Sequence, residues 1–382
     1  MAKQSRNAET TQATAPENMI DLGIGHPGLE LLPTDLVRTS AENELRRGEP
    51  RVLQYGFEQG SGAFREALSD FLAEATGIEA PPHELFVSGG VSQALDLLCS
   101  LFAQPGDLVF AEEPTYFLAL RIFEDHGLRV RSIPTDGDGL DVAALEEALD
   151  EETPRLLYTI PVHQNPSGVT LSEERRGRLV ELAQEHDFLV IADEVYQLLT
   201  YDGEAPTPFG RFAKSAHVCA LGSFSKILAP GLRMGWIHAD SEIIRRIVLS
   251  GFLDSGGGLA PFTSALLQQA VVDGSLSGHV ETLRSANRRR RDSLLEVLGS
   301  SEAEKRGLRV STPAGGYFLW AELPEGRDAG SLAEAAQTAG VNFVPGPRFS
   351  STKALSRFLR ISFSYYPPEQ LTEGARRLLS VL

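Results

Sequence analysis

Short apolar runs alternate with amphipathic stretches through most of the chain. Residues 155–160 and 188–193 contain apolar runs, residues 129–133 mix polar and apolar positions, and all three predict strands. Residues 142–149 and 173–186 between them repeat apolar positions with helical spacing. Strands separated by helices in this way are typical of βαβ units, in which the strands lie parallel. The pattern therefore predicts an α/β fold with a mainly parallel central sheet.

The pattern changes in the C-terminal part of the chain. Residues 310–323, 341–344 and 358–363 predict short strands, with one helix at residues 332–336 among them. This mixture indicates a smaller α+β lobe, which we expect the N-terminal segment to join. Further helices are predicted at residues 33–47, 241–253, 261–272 and 279–298.

Composition narrows the class of protein. The 382 residues are 42% hydrophobic and 23% charged, as in ordinary soluble proteins. Basic residues number 35 and acidic residues 52, and the net charge of −17 argues against nucleic acid as a partner. No run approaches the roughly 18 apolar residues of a membrane helix, so no membrane partner is expected. Cys99 and Cys219 lie in apolar runs without zinc-site spacing, and no metal is predicted.

The first 18 residues are polar and lack the apolar region of a signal peptide. We expect them to form a disordered arm, and we expect the protein to be cytoplasmic.

The most informative stretch is residues 219–236. An apolar run ends at Ser223, Ser225 and Lys226, a Pro-Gly pair follows, and Arg233 precedes the next apolar run. This predicts a strand, a loop and a second strand. An amine flanked by two hydroxyls and a guanidinium suits a bound phosphate beside a lysine that can form an imine.

In three other stretches, a predicted strand is followed by polar or glycine-rich residues. The apolar run of residues 189–193 delivers Asp193 at its C-terminal end, where open α/β sheets bind ligands. Residues 159–168 pass from a strand into a polar turn that contains Asn165. Residues 85–98 predict a strand, a glycine turn and a helix, whose first N–H groups form an anion site.

Together these motifs resemble the fold-type I pyridoxal-phosphate (PLP) enzymes, specifically the class I/II aminotransferases. The motifs follow the family's order, and the resemblance extends from about Ile20 onward. It implies a fold-type I PLP-dependent transferase-like structure and a homodimer. The domains it implies are an arm at residues 1–18, a segment at 19–48 packing with the small domain, a large PLP-binding domain at 49–270 and a small C-terminal domain at 271–382.

The resemblance also implies roles for particular residues. Lys226 would hold PLP as an imine and move the proton at the substrate Cα, and Asp193 would keep the pyridine nitrogen protonated. Asn165 and Tyr196 would bind the ring's O3′, and Tyr196 is counted with the catalytic residues. The phosphate ligands implied are Val91 through its backbone, Ser92, Gln93, Ser223, Ser225, Arg233 and, from the neighbouring subunit, Tyr55.

Three further residues complete the implied site. Tyr116 would stack on the pyridine ring. Gly25 would lie over the substrate, with Asn165, and Arg360 would bind the substrate α-carboxylate through both oxygens.

Several of these residues have ordinary alternative roles. Tyr55 and Tyr116 could anchor a loop and a helix start, and Arg360 could lie on an exposed face. His26, beside Gly25, is interpreted as a loop histidine without a catalytic role. The run of arginines at 288–291, with acidic neighbours, is interpreted as a solvated helix face.

The function implied is amino-group transfer between an L-amino acid and a 2-oxo acid, both small-molecule partners. One alternative is a PLP lyase or other Cα, Cβ or Cγ chemistry on the same scaffold. A regulator that has kept the fold would carry a DNA-binding domain ahead of it, and a short polar arm precedes Ile20 here. Residues 313–320 resemble a segment common in family members that take aminoadipate, aromatic or branched substrates, which leaves the donor open.

Overall fold

An eight-stranded, mainly parallel sheet organises the protein, and the predicted α/β class is confirmed. The computed structural model describes residues 18–382. The strands lie in the order β2-β9-β8-β7-β6-β3-β4-β5, and the four consecutive pairs from β8 to β4 are parallel. The strands are β1 Ile20–Asp21, β2 Leu85–Ser88, β3 Leu108–Glu113, β4 Arg129–Asp136, β5 Gly139–Leu140, β6 Leu156–Thr159, β7 Leu189–Asp193, β8 Val218–Ser223, β9 Gly235–Ala239, β10 Arg309–Val310, β11 Phe318–Glu322, β12 Val341–Asn342, β13 Val344–Pro345 and β14 Phe358–Ser362.

Helices cover the sheet and connect its strands. The helix at Glu173–His186 and that at Pro261–Val272 have the predicted bounds, whereas the others differ by one or more residues at an end. The helices are α1 Thr34–Arg46, α2 Gly62–Thr76, α3 Val91–Phe102, α4 Phe117–Asp125, α5 Val142–Glu151, α6 Glu173–His186, α7 Phe224–Ile227, α8 Ser241–Val248, α9 Gly251–Gly256, α10 Pro261–Val272, α11 Ser275–Leu298, α12 Ser301–Lys305, α13 Ala329–Thr338 and α14 Pro368–Ser380.

The central strands are buried on both faces. Every residue of β6, β7 and β8 is buried, because one apolar core packs on each side of the sheet. Strands in that position read as continuous apolar runs, which is why the sequence located them well. Their carboxyl ends bring Asp193 and Ser223 to the same edge of the sheet.

A second, four-stranded antiparallel sheet, β10-β11-β14-β13, lies in the C-terminal part around its own apolar core. Strand β1 pairs in parallel with β12, so the segment after residue 18 contacts this part of the chain. Helix α11 contributes Leu276 to the core of the large sheet and Leu298 to the core of the small one. The domain bounds predicted from the sequence stay a prediction, and the predicted arm falls outside the described residues except for Asn18.

Three local predictions were wrong. The loop carrying Lys226 contains a helical turn, α7, because the Ser223 side chain accepts a hydrogen bond from the N–H of Ser225 and caps it. The helix predicted at 241–253 is divided into α8 and α9, with Ser250 as the N-cap of the second. Within residues 18–382 no helix is long and apolar enough to cross a membrane.

The third error concerns the arginine run in α11. Arg290 and Arg291 are buried, not solvated, because this part of α11 packs under the segments that follow β14 and precede β11. Arg290 donates to the Ser364 carbonyl and pairs with Glu30, and Arg291 donates to the Pro313 carbonyl. Acidic residues near the arginine run are visible in the sequence. The backbone carbonyls that accept hydrogen bonds from the buried guanidinium groups are not, because they belong to other segments.

Candidate active site

Lys226 lies at the carboxyl edge of the large sheet, on the short helix that follows β8. Its Nζ donates a 2.9 Å hydrogen bond to the carbonyl of Gly25, in the segment after β1. The Tyr317 hydroxyl donates to the Lys226 carbonyl at 2.9 Å, and the Tyr317 ring centroid lies 5.5 Å from Nζ. Burial lowers the pKa of Lys226 to about 8; Arg360 adds to the lowering and Asp193 opposes it. A lysine in this state is partly a neutral, nucleophilic amine near neutral pH.

Asp193 ends β7 and is buried at 4% exposure. Its Oδ2 accepts a 2.7 Å hydrogen bond from the Tyr158 hydroxyl, which comes from the neighbouring strand β6. Burial raises the pKa of Asp193 to about 6, although the hydrogen bonds from Tyr158 and from the Val195 N–H, and the charge of Lys226, favour the ionised form. Asp193 is therefore a carboxylate kept from water and available to a cationic partner.

Arg360 and Asn165 form one hydrogen-bonded pair. Arg360, on β14, donates from Nη1 to Asn165 Oδ1 at 2.9 Å and from Nη2 to the Gly23 carbonyl at 2.8 Å. Its Nε is buried without a partner among the described residues. Burial lowers the pKa of Arg360 to about 10, which leaves it charged at neutral pH. A buried cation with an unused donor suits the carboxylate of a ligand.

Aromatic rings surround this guanidinium. The Arg360 Cζ lies 4.0 Å from the ring centroid of Phe318 and 5.0 Å from that of Phe349. At Gly25 a Cβ would fall 2.8 Å from the Phe318 ring, so a side chain there would force the two apart. A glycine at position 25 is thus explained by a close approach of backbone to ring.

A second buried carboxylate holds the turn that carries Asn165. Glu112, on β3, accepts a 3.0 Å hydrogen bond from the Ile160 N–H and one of 3.1 Å from the Gln164 amide. Gln164 in turn accepts from the Ser167 N–H at 2.9 Å. Burial raises the pKa of Glu112, and these hydrogen bonds oppose that shift. This network fixes the turn from both sides of Asn165.

The start of helix α3 offers an anion site next to this group. Its N-cap, Gly90, has a φ of +95°, and no side chain of the described residues caps the helix, so the N–H groups of its first turn are free for a ligand. A Cβ on Gly90 would lie 3.1 Å from Arg233 Nη2, and the positive φ is a conformation that other residues rarely adopt, so glycine is favoured here. Arg233 donates to the Gly89 carbonyl at 3.4 Å, and Gln93 accepts from the Gly89 N–H at 3.2 Å.

The structure brings most of the predicted residues to this edge of the sheet. The free first turn of α3 is Val91, Ser92 and Gln93, and Arg233 lies beside it. Ser223 and Ser225 bracket the start of α7. Tyr116 precedes α4, where burial and the charge of Asp193 raise its pKa to about 12.

Tyr196 and Tyr55 lie in opposite surroundings. Tyr196 is 2% exposed, its ring centroid lies 5.4 Å from that of Tyr317, and burial raises its pKa well above the usual value. Tyr55 is 83% exposed, and the single chain does not bring it to the site.

Sequence reasoning missed four residues of the site. Tyr158, Glu112, Tyr317 and Phe318 lie within or beside apolar runs, where an aromatic or a single acidic residue looks like part of a strand. Strand pairing could have indicated Tyr158. It lies on β6, next to the strand that ends at Asp193, and it pairs with Ile191, two residues before Asp193.

The residues present fit the cofactor that the sequence resemblance implied. The free helix turn, Arg233 and the two serines suit a phosphate, the buried carboxylate of Asp193 suits a pyridinium nitrogen, and the amine of Lys226 suits an aldehyde. Glycine at positions 25 and 90 leaves room that a side chain would fill.

Comparison with known proteins gives concordant matches over the whole described chain. A family model described as aminotransferase class I and II matches residues 17–378. The chain is 34% identical to aromatic-amino-acid aminotransferase 1 of Thermococcus litoralis, over 100% of this chain and 92% of that protein. It is also 34% identical to 2-aminoadipate transaminase of Thermus thermophilus, over 97% and 91% respectively. The crystal structure of Pyrococcus horikoshii kynurenine aminotransferase in complex with PMP superposes with a TM-score of 0.88 at 34% identity, over 95% of this chain and 90% of that one.

The raised pKa of Asp193 predicts a particular pH dependence of stability. Between its ordinary pKa of 3.8 and about 6, the native carboxyl holds a proton that the unfolded chain has lost, so its contribution to stability is present at low pH and disappears as pH rises through 6. Asp193→Asn should therefore stabilise the cofactor-free protein relative to the unsubstituted chain, by up to about 3 kcal/mol more at pH 7 than at pH 4.

Urea unfolding at a series of pH values measures this difference. Asp138→Asn, at an exposed position, is the matched control for the loss of one carboxylate. A difference between Asp193→Asn and the unsubstituted chain that does not change with pH would contradict this prediction, because the carboxyl would then have the same pKa in the folded and the unfolded chain.

Proposed function

Because this chain belongs to the class I and II aminotransferases, we propose that it transfers the amino group of aromatic and long-chain L-amino acids to a 2-oxo acid at a site built on Lys226, Asp193 and Arg360. It is an aminotransferase, and its cofactor is pyridoxal 5′-phosphate. We infer the donor class, the roles of the residues and the arrangement of subunits. The observation that carries the proposal is the convergence of Lys226, Asp193 and Arg360 at the carboxyl edge of the large sheet. Burial and the charge of Arg360 lower the pKa of the Lys226 amine there, and the charge of Asp193 opposes that shift.

Lys226 is proposed to be both the point of attachment of the cofactor and the catalytic base. With its pKa near 8, the amine alternates readily between neutral and protonated forms at neutral pH. In the neutral form its Nζ can accept the proton from the substrate Cα, and in the protonated form it can donate that proton to C4′ of the bound cofactor. The Gly25 carbonyl, 2.9 Å from Nζ, orients the amine between the two states.

Asp193 is proposed to hold the pyridine nitrogen in its protonated form. Pyridoxal phosphate, when bound, supplies a ring that accepts the electron pair released at the substrate Cα. A carboxylate in a water-poor site attracts a positive charge more strongly than one in solvent does. Tyr158 keeps Asp193 oriented, and Tyr116, Tyr196 and Asn165 would contact the ring and its oxygen.

Arg360 is proposed to orient the substrate. A planar guanidinium pairs with both oxygens of an α-carboxylate, and its hydrogen bonds to Asn165 and Gly23 leave it little freedom. Val91, Ser92, Gln93, Ser223, Ser225 and Arg233 would hold the phosphate. Orienting the substrate at one end and the cofactor at the other places the substrate Cα within reach of Lys226.

The donor class is inferred from the relatives and from the aromatic rings near Arg360. Phe318 and Phe349 border the guanidinium, and the Phe349 ring lies 5.4 Å from that of Phe117 and 5.7 Å from that of Trp320. Phe318 and Phe349 are buried, so the half-buried rings of Phe117 and Trp320 are the ones that an aromatic or long apolar side chain could contact. The relatives named above act, by their names, on aromatic amino acids, 2-aminoadipate and kynurenine.

We also infer a homodimer, because two adjacent segments expose large apolar side chains. Tyr55 is 83% exposed, Phe57 70% and Phe252 62%. The segments lie against each other, since a Cβ on Gly257 would meet the Cβ of Tyr55 at 3.1 Å. Adjacent exposed large apolar side chains on a soluble protein often mark an interface. A second copy would cover the patch and place its Tyr55 where the phosphate site of its neighbour could receive it. A cytoplasmic location and the division into two domains likewise stay predictions.

A panel of amino acids tests the proposed activity. We expect aromatic donors and 2-aminoadipate to convert the bound cofactor to its amine form, with release of the matching 2-oxo acid, measured by absorbance and mass spectrometry. Lys226→Arg should slow this half-reaction by roughly two to four decades, because the catalytic base is lost. Lys214→Arg, at an exposed position, is the control. Conversion at an undiminished rate in Lys226→Arg would contradict the assigned base.

The interface is tested by placing a charge within the patch. Phe57→Glu should shift the protein from dimer to monomer in sedimentation velocity and reduce turnover by more than about tenfold, because an unpaired charge is costly to bury. Phe57→Leu keeps an apolar side chain and should remain dimeric and active. A fully active Phe57→Glu monomer would exclude any contribution of this surface to the site.

A further inference from the structure

One buried histidine has no role in the proposed function and lies two residues before Asn165. His163 has a φ of +47°, in the left-handed region that few residue types enter. Its N–H donates to Thr170 Oγ1 at 3.2 Å, and its Nε2 lies 2.9 Å from Thr200 Oγ1. A buried side chain in an uncommon backbone conformation needs contacts that hold it there, and such positions cluster at functional sites.

The hydrogen bond to Thr200 fixes the state of this imidazole. Burial and the charge of Arg176 lower the pKa of His163 to about 4, so the ring is neutral at neutral pH. Its Nδ1 is buried and has no partner among residues 18–382. We assign the proton to Nε2, because a proton on Nδ1 would be a buried donor without an acceptor, whereas Nε2 can donate to Thr200 Oγ1. The imidazole is thus a neutral donor with one fixed direction.

The imidazole also packs against a pair of glycines that lead into the second sheet. A Cβ on Gly315 would lie 2.3 Å from His163 Nε2, and one on Gly316 would lie 2.7 Å from His163 Cβ. Both distances are too short for real contacts between these atoms, so the ring fits because both positions are glycine. Gly315 also pairs with Thr200 in an isolated bridge. The ring therefore fills the junction between the turn that carries it, the segment of Thr200 and the approach to β11.

This junction sets the relative positions of Asn165 and Arg360. Asn165 lies in the turn after β6 of the large sheet, whereas Arg360 lies on β14 of the second sheet, and the 2.9 Å hydrogen bond between them joins the two sheets. Strand β11 pairs with β14, with Trp320 opposite Arg360, so a shift of β11 moves the guanidinium. The first residue of β11 is Phe318, whose ring centroid lies 4.0 Å from the Arg360 Cζ. Contacts at His163 therefore affect both partners of that hydrogen bond.

We propose that His163 is a positioning residue, which holds the Asn165 amide and the Arg360 guanidinium in the orientation that the cofactor and the substrate carboxylate require. This inference rests on the proposed functions of Asn165 and Arg360. Asn165 Oδ1 accepts from Arg360, so the amide N–H groups of Asn165 remain to donate to the ring oxygen of the cofactor. Loss of the hydrogen bond between His163 and Thr200 frees the turn and weakens both interactions together. A packing role alone would lower stability without changing either one.

A double-mutant cycle on His163 and Thr200 tests this role in the holoenzyme without turnover. His163→Phe keeps a flat ring, Thr200→Val keeps the shape of threonine, and each removes one partner of the hydrogen bond. We expect each variant to raise the pH midpoint of the cofactor's absorbance change by about 0.5 to 1 pH unit, because a weaker hydrogen bond to the ring oxygen favours the protonated cofactor. Each should also raise the dissociation constant of 3-phenylpropanoate, a carboxylate with a ring but no amine, about three- to tenfold. The double variant should show the same changes as either single variant.

The controls separate this inference from the proposed function. Thr200→Ser keeps the hydroxyl and should behave as the unsubstituted enzyme does. An unchanged midpoint and dissociation constant in Thr200→Val overturn the role of His163, and Thr200→Val alone decides if His163→Phe does not fold. Changes that add in the double variant also overturn it, since the two side chains would then act separately. Absence of amino transfer with every donor, in an enzyme that still gives the expected cycle, would instead overturn the proposed function.

Discussion

The site depends on a carboxylate kept away from water. Asp193 lies at the end of a strand that is buried along its whole length, and within residues 18–382 no cation pairs with it directly; its hydrogen bonds come from Tyr158 and a backbone N–H. Burying a charge in this way is costly, and the raised pKa of the group expresses that cost. A cationic ring nitrogen beside Asp193 would offset this free-energy cost, so the buried carboxylate favours binding of the cofactor.

The neighbouring charges follow from the same constraint. Lys226 is half-buried and Arg360 is buried, and burial lowers the pKa of both. Lys226 is therefore partly a neutral amine near neutral pH, whereas Arg360 stays charged and can bind an anion with little competition from water. The second buried carboxylate, Glu112, accepts hydrogen bonds from the turn that carries Asn165. One carboxylate therefore serves the ligand and the other holds the scaffold.

The residues with the proposed chemical roles could be predicted from the sequence, but the residues that hold them in place could not. Asp193 ends β7, Lys226 follows β8 and Arg233 precedes β9, and these positions next to apolar runs are visible in the pattern. Tyr158 was not predicted, because a tyrosine within an apolar strand reads as core until the neighbouring strand is known. Arg290 and Arg291 were assigned to solvent, because the carbonyls that accept from them come from segments more than 20 residues away. The α/β class needed only local periodicity, whereas these contacts depend on the packed structure.

The protonation state of the cofactor's ring nitrogen tests the central role of Asp193 most directly. Nitrogen-15 NMR of the enzyme loaded with cofactor labelled at that atom reports whether the atom carries a proton. If Asp193 holds the ring nitrogen in its protonated form, the nitrogen is protonated in the unsubstituted enzyme and unprotonated in Asp193→Asn at the same pH, with the cofactor still bound. The same chemical shift in both proteins would contradict it, because the buried carboxylate would then have no influence on the ring.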